Sequence, residues 1–450
     1  MDDNGEFNWR RYPGTENFLR ELLRDMTRKN GLLRRMAADF REVADIDLFD
    51  MVDHFTMPRD EVFVDRLQTL GLRREMQYAS FTVYAAPGTY LPRVLVDAPN
   101  GRLGEGAAVR VERLSDFLLT QGFAREMEGR PYSRLRRSHL TRDNDISVWA
   151  VERRSFGIFE PDYPDTGYLP NYFRAREMWE TRSRQGHPVE LLDQAIQLAR
   201  QLVDLLGQDV AAHLVLEAER KYWQNRNRAA QRQRIRQERL GIGWANHDHH
   251  TFRCTRQLLP HLVTLMETLG FTRRERFYAG AEAGWGAQVM EHAGSGFTLF
   301  LDIDLSPEEV QGDFSRERLP ELEQLGTIGL WCGLHGDSVL QAGLHHLAVR
   351  TDFRRASDRL PERQVEIMDP FSDFDFLKQA FTRGETWAVD PRRIDTLLRL
   401  KRITPQQAEE FGAHGAVGSH LEIIQRTDGF KGFNQKTVSD IIQRTDPRQA

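Results

Sequence analysis

The chain contains an internal repeat, and this repeat restricts the possible folds more than any other feature of the sequence. Residues 53–57 (DHFTM) precede a helical pattern that ends at Gly71, and residues 248–252 (DHHTF) precede one that ends at Gly270. A strand, a helix and a helix-closing glycine therefore recur in the same order. Because several independent features recur together, the chain is predicted to repeat a whole supersecondary unit.

The segments that follow each copy extend this unit. After the first copy, apolar patterns predict strands at 79–85 and 90–97, then a second unit with a strand at 108–111, a helix at 114–120 and a strand at 145–151. After the later copy they predict strands at 271–278, 286–292 and 296–305. A further copy opens at 344–349 and closes at 419–426, with helices predicted at 359–368 or 375–380, at 390–400 and at 405–411. The predicted fold class is α+β, with repeated βαβββ modules and added helical segments.

Four segments are predicted along the chain. They are N-terminal helices at 1–45, an N-terminal module domain at 46–165, a helical linker region at 166–240 and a C-terminal module domain at 241–450. A chain of 450 residues is long enough for two or three hydrophobic cores. The Arg- and Gln-rich part of the linker, residues 220–239, is interpreted as a solvated helix face rather than a nucleic-acid-binding one.

Composition excludes several classes of protein. The formal net charge of −5, from 62 basic and 67 acidic residues, argues against a nucleic-acid-binding protein. No run of apolar residues approaches the roughly 18 that a membrane-spanning helix needs. The two cysteines, Cys254 and Cys332, form no disulfide framework, and the acidic start of the sequence is unlike a signal peptide. A cytoplasmic protein is therefore expected.

Paired histidines stand out in the predicted strand at 343–352 (GLHHLAVRTD). Adjacent residues of a strand point to opposite faces, so only one of the two imidazoles faces the interior. Alignment of the repeats places His54, His249 and His346 at equivalent inward positions. The neighbouring His247, His250 and His345 are then expected to face outward or to orient the inward groups, and a one-residue register error would exchange the roles.

A glutamate lies in the last predicted strand, at 419–426 (SHLEIIQR). Glu422 has apolar neighbours, and a buried carboxylate is costly unless it is protonated, ion-paired or bound to a metal. Together with His249 and His346 it forms the residue set of a two-histidine, one-carboxylate site, which is typical of non-haem Fe(II). The same set also suits Zn(II), Mn(II) or Ni(II).

The C-terminal half resembles the vicinal oxygen chelate superfamily, and within it the 4-hydroxyphenylpyruvate dioxygenase type. The resemblance is carried by the Asp-His strand at 248–249, by 344–352 (LHHLAVRTD), by 421–426 (LEIIQR) and by the glycine-rich segment at 429–435 (GFKGFNQ). The 2-oxoadipate dioxygenase/decarboxylase type is similar as well. The likeness covers residues 241–445 well and 45–165 less well, where the family has a module without metal, which makes His54 a relic or a core residue.

This resemblance implies open barrels built from the modules, and an Fe(II) dioxygenase that acts on a 2-oxo acid or a related small organic acid with O2. The alternatives are a glyoxalase-type lyase or isomerase without a redox step, and a binding protein that kept the fold. The family's Pro-Val-Gln-Asp-Arg-Pro-Thr run is replaced here by a helical stretch at 405–418, so 4-hydroxyphenylpyruvate itself is not implied. The N-terminal half is left as a scaffold or as the contact of a homodimer.

Further residues of the site are predicted beside the three ligands. The repeat alignment sets Asp302 opposite Glu422, where members with four ligands place a carboxylate. As a fourth ligand Asp302 would favour the lyase or isomerase alternative, whereas the dioxygenase type leaves that position open for substrate and oxygen. The substrate-binding candidates are Gln288, Gln425, Phe430 and Asn434. Phe430 and Phe433 are expected either to pack over the site as a lid or to anchor the last helix. That short helix is predicted at 437–442, where the family has a gating helix.

Overall fold

The computed structural model describes residues 9–280, 283–434 and 444–449. Two helices begin this part of the chain, α1 (Pro13–Lys29) and α2 (Gly31–Ala44). Asn30 ends the first and caps the second, because its side chain accepts hydrogen bonds from the backbone N–H groups of Leu32 and Leu33. The apolar stripes of both helices pack into one core with the first sheet.

The first sheet has seven strands, and two helices lie in the connections between them. These elements are β1 (Val52–Met57), α3 (Glu61–Thr69), β2 (Arg73–Gln77), β3 (Phe81–Ala85), β4 (Arg93–Asp97), β5 (Gly106–Val111), α4 (Leu114–Thr120), β6 (Leu135–Asp143) and β7 (Ile146–Arg153). The strand order is β2-β3-β4-β1-β5-β7-β6. The central pair β1–β5 is antiparallel, while β1–β4 and β5–β7 are parallel. One complete βαβββ module and one shortened module therefore lie side by side.

Four helices connect the two sheets. They are α5 (Tyr168–Glu180), α6 (Pro188–Leu206), α7 (Gln208–Gln224) and α8 (Arg228–Glu238). Their apolar side chains share a core with the outer face of the second sheet. The predicted helical linker thus covers a sheet face. Among the described residues, no helix is both long and apolar enough to cross a membrane.

The second sheet repeats the arrangement of the first. Its elements are β8 (His247–Arg253), α9 (Leu259–Thr268), β9 (Thr272–Tyr278), β10 (Trp285–His292), β11 (Phe297–Asp304), α10 (Thr327–His335), β12 (His346–Arg350), α11 (Phe353–Arg359), β13 (Ser372–Phe374), β14 (Leu377–Phe381), β15 (Glu385–Trp387), α12 (Pro391–Arg399), α13 (Pro405–His414) and β16 (Ala416–Arg426). The order is β13-β14-β16-β12-β8-β11-β10-β9, with β15 against β16. The central pair β8–β12 is antiparallel, and β8–β11 and β12–β16 are parallel. The predicted α+β class with βαβββ modules is confirmed by this connectivity.

Both positions predicted for the helix of this module, 359–368 and 375–380, are wrong. Residues 375–380 fall largely in β14, which pairs with β16, and the helix of this module is α11, which ends where the other predicted helix was to begin. The Asp352 side chain caps α11 by accepting a hydrogen bond from the Arg355 N–H. Pairing with a buried neighbouring strand overrides the local helical pattern at 375–380. The predicted helix at 437–442 lies outside the described residues.

Candidate metal centre

Three neighbouring strands bring two imidazoles and one carboxylate together. His249 lies on β8, His346 begins β12 and Glu422 lies on β16, and all three are buried. Their ligand atoms all lie within 4.8 Å of one another. β12 runs between the other two strands, so the sheet pairing itself holds the three side chains at one place.

The distances within this group suit a divalent metal ion. The Oε2 atom of Glu422 lies 3.2 Å from His249 Nε2 and 3.1 Å from His346 Nε2. Two ligand atoms that each lie about 2.1 Å from an ion and subtend a right angle are about 3 Å apart. The three residues therefore fit one face of the coordination shell of a metal such as Fe(II), Zn(II), Mn(II) or Ni(II).

Asp248 orients the first ligand. His249 Nδ1 donates to Asp248 Oδ1 over 3.0 Å, which leaves Nε2 directed at the metal position. The same carboxylate accepts two hydrogen bonds from Arg426, of 2.9 and 3.0 Å, and one from Arg350, of 3.1 Å. A buried, fully paired carboxylate of this kind keeps the imidazole in one tautomer and one orientation.

The other two ligands also have supporting contacts. Gln379 Nε2 donates to Glu422 Oε1 over 2.8 Å, which leaves Oε2 for the metal. His346 Nδ1 lies 3.0 Å from His345 Nδ1, and its Nε2 lies 2.9 Å from the Thr251 hydroxyl oxygen. Gln379 was missed at the sequence level because its strand was read as a helix.

Without a metal, one of the three candidate ligands, His249, carries a proton at neutral pH. Burial lowers the pKa of His249, but the attraction of Glu422 and Asp248 outweighs it and raises the pKa to about 9. Burial lowers the pKa of His346 to about 4, although Glu422 opposes this. Burial would raise the pKa of Glu422, but the two imidazoles lower it to about 2. At neutral pH, His249 is therefore protonated while the other two ligands are ready to bind.

Metal binding is expected to release about one proton per chain at pH 7, because the ion must displace the proton of His249. A group with a raised pKa holds its proton below that pKa, so the apparent affinity should rise about tenfold per pH unit from pH 6 and level off near pH 9. Calorimetric titration of the metal-free protein in buffers of different ionisation enthalpy measures the proton count. A count of zero at pH 7 would contradict this assignment.

Asp302, the alternative fourth ligand, is displaced from the ligand position. On β16, Glu422 lies opposite the position two residues beyond His346 of the parallel strand β12. The corresponding residue of β11, opposite the position two residues beyond His249, is Phe300. Asp302 lies one inward-facing position further along β11, which corrects the alignment that set it opposite the glutamate. An apolar ring thus occupies the fourth position, and the other coordination positions of a metal remain open.

Asp302 instead belongs to a polar end of the cavity. Its Oδ1 atom is buried without a hydrogen bond, and burial raises its pKa to about 7 against the attraction of Arg253. Arg253 lies beside it on β8, four residues beyond the ligand His249. It is fully buried, and among the described residues none of its guanidinium nitrogens has a hydrogen-bond partner. Burying a guanidinium without a hydrogen-bond partner is costly, so a polar ligand is expected beside these two residues.

A cavity that encloses about 480 Å³, including space open to solvent, joins the metal position to this polar end. Its walls are mainly aromatic, and they are formed by Phe277, Trp285, Phe300, Phe371, Phe381 and Phe433. The polar lining consists of the three candidate ligands, Thr251, Asp302, His345, Gln379 and Asn434. His345 reaches the cavity because it precedes the regular part of β12, where the alternation of faces begins. The site is therefore a small, largely apolar chamber with polar groups at the metal and at one end.

The substrate-binding candidates divide into two groups. Asn434 lines the cavity, and the Phe433 ring packs edge-on against His249 and Phe300. Gln288 and Gln425 lie on the other sheet face, where Gln288 donates to backbone carbonyls and Gln425 accepts from a backbone N–H. Strand alternation explains the error for Gln425, which lies three residues, an odd number, beyond Glu422.

Phe430 also lies away from the cavity. Its ring packs edge-on against Phe376, with a centroid separation of 4.8 Å, near Leu377 and Ile424. Phe430 therefore anchors the segment that carries Phe433.

The two histidines of β8 that were expected to face outward have structural partners. His250 Nε2 lies 3.2 Å from Arg220 Nη1, and His247 Nδ1 donates to a backbone carbonyl.

The first sheet carries only one of the three equivalent side chains. Residues 108–110 and 348–350 both read Ala-Val-Arg, which aligns β5 with β12. This alignment and the strand pairing place His54, Gly106 and Trp149 at the three ligand positions. Glycine and tryptophan supply no metal ligand, so His54 remains as a buried histidine that is hydrogen-bonded to its neighbouring aspartate over 2.7 Å.

No protein-family model matches the chain, and no curated protein matches it in sequence. Among solved structures, a triple mutant of 4-hydroxymandelate synthase from Streptomyces coelicolor is similar over 88% of this chain and 98% of its own, with 13% identity and a TM-score of 0.30. Methylmalonyl-CoA epimerase from Mycobacterium tuberculosis is similar over 41% and 89%, with 13% identity and a TM-score of 0.23. A xylose isomerase-like TIM barrel/4-hydroxyphenylpyruvate dioxygenase fusion protein is similar over 89% and 52%, with 11% identity and a TM-score of 0.24. The strand order of both sheets, rather than these superpositions, defines the fold as paired βαβββ modules.

Proposed function

We propose that the chain is a non-haem Fe(II)-dependent dioxygenase that acts on a 2-oxo acid or a related small organic acid. The observation that carries this proposal is the set of His249, His346 and Glu422 with Phe300, an apolar ring, at the fourth position. Three ligands on one face leave room for both an organic substrate and O2. Iron, when bound there, supplies the activation of O2 that an oxidative decarboxylation needs.

The chain's own residues hold and enclose the substrate. The aromatic walls exclude water and favour a substrate with an apolar body. The polar end supports an acidic substrate, because Asp302 is largely protonated below pH 7 and can donate a hydrogen bond, and Arg253 brings a positive charge beside it. Phe433 and Asn434, from the segment after β16, close one wall of the chamber.

The competing proposal is a lyase or isomerase of the glyoxalase type, which needs no oxygen. Protein purified without oxygen should contain iron and should consume O2 with at least one member of a panel of 2-oxo acids. Activity with Zn(II), Ni(II) or Mn(II) in the absence of oxygen would favour the competitor. Stoichiometric zinc with no oxygen uptake on any substrate would end the dioxygenase proposal.

A substitution at the fourth position tests the same point. In Phe300→Glu, a carboxylate enters the position that the ring occupies, and it is expected to bind the metal and fill an open position. Oxygen uptake should then fall to the background rate while metal content stays near that of the wild type. Phe300→Leu, which keeps the position apolar, serves as the matched control and should retain uptake. Full uptake by a metal-loaded Phe300→Glu variant would show that Phe300 does not mark an open coordination position.

A further inference from the structure

A second cleft lies between the two sheets. It encloses about 860 Å³, including space open to solvent, and both halves of the chain contribute to its walls. The N-terminal half supplies Asp50, Asp53, Tyr90, Arg93 and Arg110, and the C-terminal half supplies His247, Asp248, Glu291, Arg350 and Lys431. None of the three candidate metal ligands lines it.

The repeat makes Arg110 and Arg350 equivalent, but only one of them is paired. Arg350 donates to Asp248 over 3.1 Å. The corresponding aspartate, Asp53, accepts two hydrogen bonds of 2.7 Å from Arg153 instead. No hydrogen bond or ion pair of Arg110 occurs among the described residues, and its Nε atom is buried without a partner. The side chain of Arg110 is half-buried, and its Nε atom has lost water without gaining an acceptor.

The surroundings of Arg110 do not supply that acceptor. Burial lowers its pKa to about 10 against the attraction of Asp53, and the neighbouring Arg350, Arg153 and Arg93 lower it further. At this pKa the group is still charged at neutral pH. Arg110 therefore adds an unneutralised positive charge to a place that already holds several guanidinium groups.

The remaining charges of the cleft are either paired or largely neutral. Lys431 forms an ion pair with Glu291, and Arg93 pairs with Glu75 over 2.8 Å. Burial, reinforced by Asp47 and opposed by Arg350, raises the pKa of Asp50 to about 7, so this carboxyl is largely neutral below pH 7.

One further wall of the cleft is aromatic and faces cations. The Tyr90 ring lies under the Arg350 guanidinium, with 4.3 Å between the Cζ atom and the ring centroid, and Lys431 Nζ lies 5.5 Å from the same centroid. The Tyr90 hydroxyl group is within 3.0 Å of the Thr298 hydroxyl oxygen, which ties the two sheets together. The cleft is thus a polar cavity lined by four basic and four acidic side chains, in which Arg110 has no ion-pair partner among the described residues.

We propose that this cleft binds a small oxyanion with two negative charges, held by Arg110 and the neighbouring cationic wall. Such a ligand would give Arg110 the acceptor it lacks, and guanidinium groups bind carboxylate, sulfate and phosphate oxygens in a bidentate manner. The Asp50 carboxyl group, when protonated, adds a hydrogen-bond donor. This site contains none of the three candidate metal ligands, although Asp248, which orients His249, lines it, and the proposal does not depend on the proposed dioxygenase reaction.

Calorimetric titration of the full chain with sulfate and with succinate tests the proposal. Saturable binding of one anion per chain is expected for at least one probe, and the two probes separate an inorganic oxyanion from a dicarboxylate. Arg110→Met should weaken this binding at least about tenfold, which corresponds to the loss of one charge-assisted contact. Arg110→Lys, which keeps the charge, should retain part of it, and Arg24→Met, at an exposed arginine of α1, should leave it unchanged.

Binding to the metal centre is separated by a second variant. Glu422→Ala should bind the anion as the wild type does, because Glu422 does not line the cleft. Thermal unfolding of each variant shows that the fold is retained. The proposal is overturned if neither probe binds, if Arg110→Met binds as tightly as the wild type, or if binding is lost in Glu422→Ala but kept in Arg110→Met.

Discussion

Replacing His249 by alanine is expected to abolish both metal retention and oxygen uptake. The substitution removes one of three ligands and leaves the Glu422 carboxylate buried with one imidazole fewer. A two-ligand site holds a divalent ion poorly, because protein sites for such ions usually need at least three ligands. Metal analysis after dialysis and oxygen-electrode measurements on a responsive 2-oxo acid give the two readouts.

The internal repeat offers a matched control for this experiment. His54 occupies the equivalent position of the first sheet, is similarly buried, and hydrogen-bonds to an equivalent aspartate. His54→Ala should therefore disturb packing to a similar degree but leave metal content and oxygen uptake unchanged. Metal retention by His249→Ala, or an equal loss in His54→Ala, would mean that the candidate ligand set is wrong.

Asp248→Asn is expected to have the largest combined effect on stability and on metal binding. The carboxylate is buried and neutralises two arginines, Arg350 and Arg426. Breaking a buried ion pair from one side typically costs about 3–5 kcal/mol, because the partner charge stays buried. Loss of the carboxylate that orients a ligating histidine also typically lowers metal affinity about 10–100-fold. Chemical denaturation and competition with a metal chelator measure the two quantities.

Asp53→Asn separates these two effects. Asp53 binds its own histidine and a doubly hydrogen-bonded Arg153, so its replacement should lower the free energy of unfolding by a similar amount. It should leave metal affinity unchanged, because the first sheet carries no ligand set. If both variants lowered metal affinity equally, Asp248 would act only through global stability and not through the orientation of His249.

The internal repeat explains why much of the fold and the ligand set could be predicted from the sequence. Alignment of the copies selected His249 over His250 without knowledge of the strand pairing, and the structure brings this residue to His346 and Glu422. The order of elements followed from periodicity and glycine positions. These features are local, so they are visible along one chain.

The remaining errors concern relations between strands. Asp302 was placed opposite the glutamate because the exact offset between two parallel strands is a property of their pairing, which puts Phe300 there. Gln288 and Gln425 were assigned to the site by type, although alternation along the strand turns them to the other face. The unpaired state of Arg253 depends on which residues surround it in three dimensions, and no pattern in the sequence shows that.

Metal identity and content of protein purified without oxygen test the central claim most directly, with the wild type compared with Glu422→Ala. The proposed function predicts about one iron per wild-type chain, bound by the three candidate ligands, and loss of that iron in the variant. Thermal unfolding of both proteins shows whether the variant has kept its fold. Equal metal content in the two folded proteins would contradict the assignment of Glu422 as a ligand and, with it, the proposed metal centre.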